Sequence, residues 1–102
     1  MDIQALPIGT VVQIKGGETP LMIVTQFPVT EKEGKQGYFD FGGVSLPIGL
    51  MGQELAFFNK EDIAEVIFMG YINLSFQDFA SKYEAMVKEI PYERFTVEGF
   101  NR

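Results

Sequence analysis

Apolar and polar residues alternate along the first two thirds of the chain, and this alternation predicts strands. From Thr10 to Lys15, Val12 and Ile14 share one face, with Gln13 and Lys15 on the other. Gly16-Gly17 marks a tight connection, and Leu21-Met22-Ile23-Val24 follows as a run apolar on both faces. The two segments read as a hairpin whose second strand is central and buried. Residues 30–37 are polar, mixed in charge and glycine-bearing, which predicts a mobile loop tip. Tyr38 to Val44 returns as an aromatic strand. Alternation puts Phe39 and Phe41 on one face, and Tyr38 and Asp40 on the opposite, wet one. Gly42-Gly43 predicts a bulge or sharp bend. Glu54 to Phe58 reads as a short strand. Asn59 reads as the N-cap of a single helical turn, with Glu61 and Asp62 favouring its dipole. Val66 to Met69 is the last strand, closed by Gly70.

The period then changes. Phe76, Phe79, Ala80, Tyr83, Val87 and Ile90 fall at helical spacing. Ser75, with Asp78 three residues on, opens the helix as a capping box with the shorter acid, and Pro91 stops it. The tail from Tyr92 to Arg102 carries Phe95, Val97 and Phe100 among polar residues, and reads as an edge strand or a surface wrap. The tetrapeptide Leu-Pro-Ile-Gly occurs twice, at residues 6–9 and 46–49. Proline lacks an N–H, and glycine two residues later permits an unusual backbone, so both copies read as corners of a strongly bent sheet. Their flanks differ, which favours a shared corner solution over a duplicated unit.

These elements predict an α+β fold. It is a small bent antiparallel sheet, or a partly open SH3-like barrel, of about five strands with one C-terminal amphipathic helix. The 102 residues make one domain: a β-rich core over 6–71, a helix over 75–90 and a tail over 91–102.

Composition narrows the function. Net charge is −6, and the eight basic residues are scattered, which disfavours nucleic acid and anionic membrane surfaces as partners. A basic protein partner suits this charge better. Without Cys there is no disulfide, and a cytoplasmic location is expected. Residues 1–4 show no signal-peptide pattern, and no apolar run reaches membrane-spanning length.

Without His or Cys, a histidine-based triad, a Cys–His dyad and thiolate or imidazole zinc sites are all excluded. No cofactor or metal is expected. Carboxylates at Asp40 or Glu61 are the remaining route to acid–base chemistry. Glu61 and Asp62 read better as first-turn dipole partners, however, because adjacent helical residues face different ways. Lys15-Gly16-Gly17-Glu18-Thr19 lacks the ending of a phosphate loop and joins two strands. Aromatics, by contrast, are in surplus: ten Phe and four Tyr. The helical stripe reads first as packing onto the sheet. Phe57 and Phe58 are consecutive, so both are buried only if the sheet is covered on both faces. Phe57, Phe58, Phe95 and Phe100 are therefore the candidate partner-binding residues.

Several segments together resemble a known family. They are Leu6-Pro7-Ile8-Gly9-Thr10-Val11-Val12, Lys15-Gly16-Gly17-Glu18 with Leu21-Met22-Ile23, and Tyr38-Phe39-Asp40-Phe41 with Pro47 and Gly49. The last is Phe58-Asn59-Lys60-Glu61-Asp62-Ile63 running into Val66-Ile67-Phe68-Met69-Gly70-Tyr71. In order and spacing they resemble the family known as domain of unknown function 4176, encoded beside type VII secretion loci of Gram-positive bacteria. The family often has a tyrosine before the second proline and a histidine in the Asn-x-Glu-Asp turn, where this chain has Leu46 and Lys60. The resemblance covers residues 6–71 and leaves out the helix and tail. It implies a cytoplasmic accessory protein, not an enzyme: a chaperone or adaptor for a secreted polymorphic toxin with a Leu-x-Gly export domain. The rival expectation is an immunity protein that neutralises a cognate toxin domain. Self-association is left open.

Overall fold

A long bent hairpin organises the molecule, a computed structural model that describes residues 5–100. The first strands are β1 (Val11–Ile14) and β2 (Leu21–Gln26), paired antiparallel as the alternation predicts. The chain then runs through β3 (Val29–Lys32), β4 (Lys35–Tyr38) and β5 (Phe41–Ser45). β3 pairs with β4, and β2 with β5. Between these two halves lies a corner. Phe27 N–H donates to the Asp40 carbonyl and Phe39 N–H to the Pro28 carbonyl, each at 3.1 Å. Phe27 takes a left-handed φ of 50° there, which turns the chain from one sheet into the other.

Two expectations fail at this corner. Residues 30–37 are the β3–β4 hairpin rather than a loop, closed by Glu33 and Gly34 at positive φ. Their polarity is that of a ribbon with exposed side chains, and the pairing is made by the backbone. The strand expected over 38–44 breaks at Phe39-Asp40, because it leaves one sheet for the other. Asp40 therefore does not sit on a wet face; it is 4% exposed.

β6 (Ala56–Phe58), a 3-10 turn over Lys60–Asp62 and β7 (Ile63–Phe68) follow. The main sheet has the order β6-β5-β2-β1-β7 and is wholly antiparallel, with β6 and β7 as its open edges. β7 starts three residues earlier than the apolar run suggests. Its inward residues are Ile63 and Val66, a spacing of three that simple alternation forbids. A register shift against β1 explains it: Val12 faces Val66 while Ile14 faces Ile63, so one extra residue is absorbed on β7. Both Leu-Pro-Ile-Gly corners end in glycine at positive φ, 92° at Gly9 and 87° at Gly49. The first is packed inward through Leu6 and Pro7, whereas Ile48 of the second is exposed.

The helical stripe forms two helices, α1 (Leu74–Ser81) and α2 (Tyr83–Glu89), not one. Ser81 Oγ donates to the Asp78 carbonyl at 2.7 Å, a local bond that competes with the helix ladder at the break. The break lets Phe79 and Tyr83 both pack on Phe27, at ring distances of 6.2 and 5.2 Å. The N-cap is Asn73 rather than Ser75, and its Oδ1 accepts from Phe76 N–H at 2.9 Å. The tail adds β8 (Glu93–Arg94), parallel to β4, and a short helix α3 (Val97–Phe100). Leu6, Val12, Ile23, Phe41 and Phe58 form the core, with Ile63, Val66 and Val97 packed against it.

Candidate functional site

Two features compete for the role of functional site: a polar junction between the sheets, and an apolar ridge at one end of the main sheet.

At the junction the corner residue Asp40 meets the 3-10 turn and the tail. Arg94 Nε and Nη2 donate to the Asp40 carboxylate at 3.2 and 2.7 Å. Nη1 and Nη2 donate to Glu61 at 3.1 and 2.6 Å. Lys60 N–H donates to Asp40 Oδ2 at 3.0 Å. Asn59, fully buried, accepts from Asp40 N–H at 2.8 Å and donates from Nδ2 to the Phe95 carbonyl at 2.7 Å. Asp62 folds back onto Asn59 N–H at 2.8 Å. Of the two acids read as dipole partners, then, Asp62 serves the turn and Glu61 reaches the tail.

The electrostatics follow from these contacts. Hydrogen bonds from Arg94 hold the Glu61 carboxyl below its usual range, while the bonds to Asp40, and after them those to Glu61, raise the guanidinium above its own. Burial, with Asp40 nearby, raises the Tyr38 and Tyr83 hydroxyls. The Arg94 guanidinium is spent on the carboxylates of Asp40 and Glu61. The arrangement clamps the tail to the corner. No group of three or more potential metal-ligating side chains occurs among the described residues.

The four aromatics singled out in the sequence divide. Phe58 is 2% exposed and packs in the core against Phe41. Phe57, Phe95 and Phe100 gather around the buried Phe39 at ring distances of 5.5, 6.0 and 5.4 Å. Phe57 lies parallel to Phe39, and the other two stand edge-on or steeply tilted to it. Much of the aromatic surplus thus closes the gap between the sheets.

The exposed apolar residues lie elsewhere. Ile67, Phe68, Met69, Tyr71, Ile72 and Leu74 are all exposed, up to 77% at Tyr71 and 82% at Leu74. They run from the open edge of β7 through the link into α1. Gly70 N–H donates to Thr10 Oγ1 at 3.0 Å, which brings exposed Ile8 beside them. A groove of about 460 Å³ opens alongside, with Ile8, Tyr71, Phe76 and Phe79 among its walls and no charged side chain in its lining. The signal for this ridge was present in the sequence. Val66-Ile67-Phe68-Met69 is apolar on both faces, and β7 packs Val66 against the core while leaving Ile67 and Phe68 exposed.

Residues 5–79 match the family model described as Domain of unknown function (DUF4176). The chain belongs to the DUF4176 family. The match extends beyond Tyr71, where the resemblance noted above stops, and takes in α1 as far as Phe79. All the groove residues of this DUF4176 domain lie inside the matched segment, whereas Arg94, Phe95 and Phe100 lie beyond it. No curated protein and no solved structure gives a significant match. No helix among the described residues is long and apolar enough to cross a membrane.

Proposed function

We propose that this DUF4176 domain is a non-enzymatic, protein-binding accessory factor that acts in the cytoplasm. Its partner in this reading is a secreted toxin of a type VII system, held through a Leu-x-Gly export region in a soluble or export-competent form. The observation that carries the reading is the ridge. Large apolar side chains left in water cluster at interaction sites more than on ordinary monomer surfaces. Here six of them lie between Ile67 and Leu74, interrupted by Gly70 and Asn73, beside an uncharged groove. The type VII setting comes from the family resemblance. The mutual engagement of Arg94, Asp40 and Glu61 at the polar junction fits the non-enzymatic part of this reading.

The test is co-expression with tagged toxin fragments, comparing the wild type with Phe68→Asp and Leu74→Asp. The export region should retain the wild type and lose each variant by about tenfold, with unchanged circular dichroism. Retention through the toxic domain instead, with protection of expressing cells, supports the immunity reading, which the net charge of −6 also suits. Folded variants that bind both fragments as well as the wild type remove the ridge from consideration.

A further inference from the structure

We infer that the open edge of β7 takes up an extended segment of the partner, apolar and basic, as an added strand of the main sheet. This rests on the protein-binding reading and supplies its mode and chemistry. β7 ends the sheet order, so one side of its backbone is paired with β1 and the other faces solvent. At six residues it is the longest edge strand described; β6 has three, β3 four and β8 two. An unpaired edge is a template for another strand, and natural sheets blunt it with Pro, Lys or bulges. β7 has no Pro and no Lys. Its two register shifts against β1 fall at Ala64 and Ile67, and Glu65 and Val66 between them stay in step with Gln13 and Val12 as the regular centre of the edge. Ile67 and Phe68 then continue the edge into the apolar ridge, where an added strand finds its anchors.

Charge chooses the occupant. Residues 5–14 carry no charge, and residues 61–81 carry Glu61, Asp62, Glu65 and Asp78 without a single Lys or Arg. Three of these acids are engaged: Glu61 with Arg94, Asp62 with Asn59 N–H and Asp78 with Lys82. Glu65, in the middle of β7, faces Gln13 on the strand behind it and makes no ion pair among the described residues. A Lys or Arg opposite Glu65 on an added strand makes a favourable cross-strand pair. A second copy of this chain is the wrong occupant. Each copy carries −6, and β7 paired with itself about its middle sets one Glu65 close to the other.

The test uses the full chain, labelled for amide NMR, and two probe peptides about ten residues long. One alternates Val or Ile with Lys; its twin has Glu in place of each Lys. The Lys probe should shift the Ile63–Phe68 amides and slow their hydrogen exchange about tenfold. Glu65→Lys should weaken that probe and strengthen its twin, each about two- to fivefold, as one cross-strand charge pair requires. Shifts that map away from β7, or two probes that bind alike, overturn the proposal. The two readings can also fail separately. A toxin fragment that needs Phe68 and Leu74 yet leaves the β7 amides unprotected ends strand addition and leaves the accessory-factor reading standing. A fragment indifferent to Phe68 and Leu74 ends the ridge itself.

Discussion

Replacing Arg94 by alanine tests whether the tail is clamped as described. In the wild type the Asp40 carboxylate, 4% exposed as a residue, accepts two bonds from Arg94 and one from Lys60 N–H. The substitution leaves it buried with the single backbone donor. Orphaning one member of a buried ion pair costs about 3–5 kcal/mol. Arg94 has a side chain 33% exposed, so water enters the space it leaves, and the lower bound of about 3 kcal/mol applies. The Glu61 side chain is 49% exposed, so solvent screens its share and Glu61→Gln should cost only about 0.5 kcal/mol. The contrast between the two variants is the prediction. A loss of about 3 kcal/mol lowers Tm by about 12–24 °C in a domain of this size. The assay is urea unfolding followed by far-ultraviolet circular dichroism and tyrosine emission, since the chain has no Trp. Arg94→Ala combined with Asp40→Asn should recover part of the loss, because the orphan is then neutral. If Arg94→Ala unfolds within about 1 kcal/mol of the wild type, Asp40 is solvated and the clamp does not exist.

Other outcomes follow from the same geometry. Gly37→Ala places a methyl group 2.5 Å from the Phe95 ring, so it should cost about 1–3 kcal/mol in urea, and Phe95→Leu in the same chain should relieve it. Asn59→Ala strips a partner from both Asp40 N–H and the Phe95 carbonyl, and should lower stability by about 2–4 kcal/mol; a loss below about 1 kcal/mol would show that the tail is not held there. The depressed Glu61 carboxyl contributes stability above the ordinary value of 4.5 and loses it as pH falls through its lower folded value. The urea midpoint of Glu61→Gln should therefore fall less than that of the wild type between neutral pH and about pH 3. Phe68→Asp, on an exposed position, should change stability by no more than about 0.5 kcal/mol, and a larger drop would place Phe68 in the core.

Much of the architecture was legible from local pattern. The β1–β2 hairpin, the bent sheet, the turn after Asn59 and the glycine corners all follow from alternation and turn chemistry. What failed did so where distant segments decide. Alternation put Asp40 in water because it assumes one continuous sheet, and the chain changes sheets at that residue. Asn59 was legible as a cap, but its side chain serves residues 19 positions before it and 36 after it, pairings that no local window contains. The single long helix missed the local bond of Ser81, which is a tertiary compromise around Phe27. Aromatic surplus and the consecutive Phe57-Phe58 pair point to candidate anchors, yet neither says which way a ring is packed. Phe58 fills the core, and Phe57, Phe95 and Phe100 line a seam. The ridge was visible as an apolar run but needed the strand order to place it at an edge.

The ion triad also sets a timetable for the nascent chain. Asp40 is synthesised 54 residues before the guanidinium that neutralises it, and Glu61 33 residues before. Domains emerge from the ribosome N-terminal end first. All five strands of the main sheet are therefore translated while the corner still carries an uncompensated carboxylate. The backbone bonds of the corner and the Asn59 and Lys60 contacts to Asp40 are all available before Arg94 is made, so the ion triad is the last part of the junction to close.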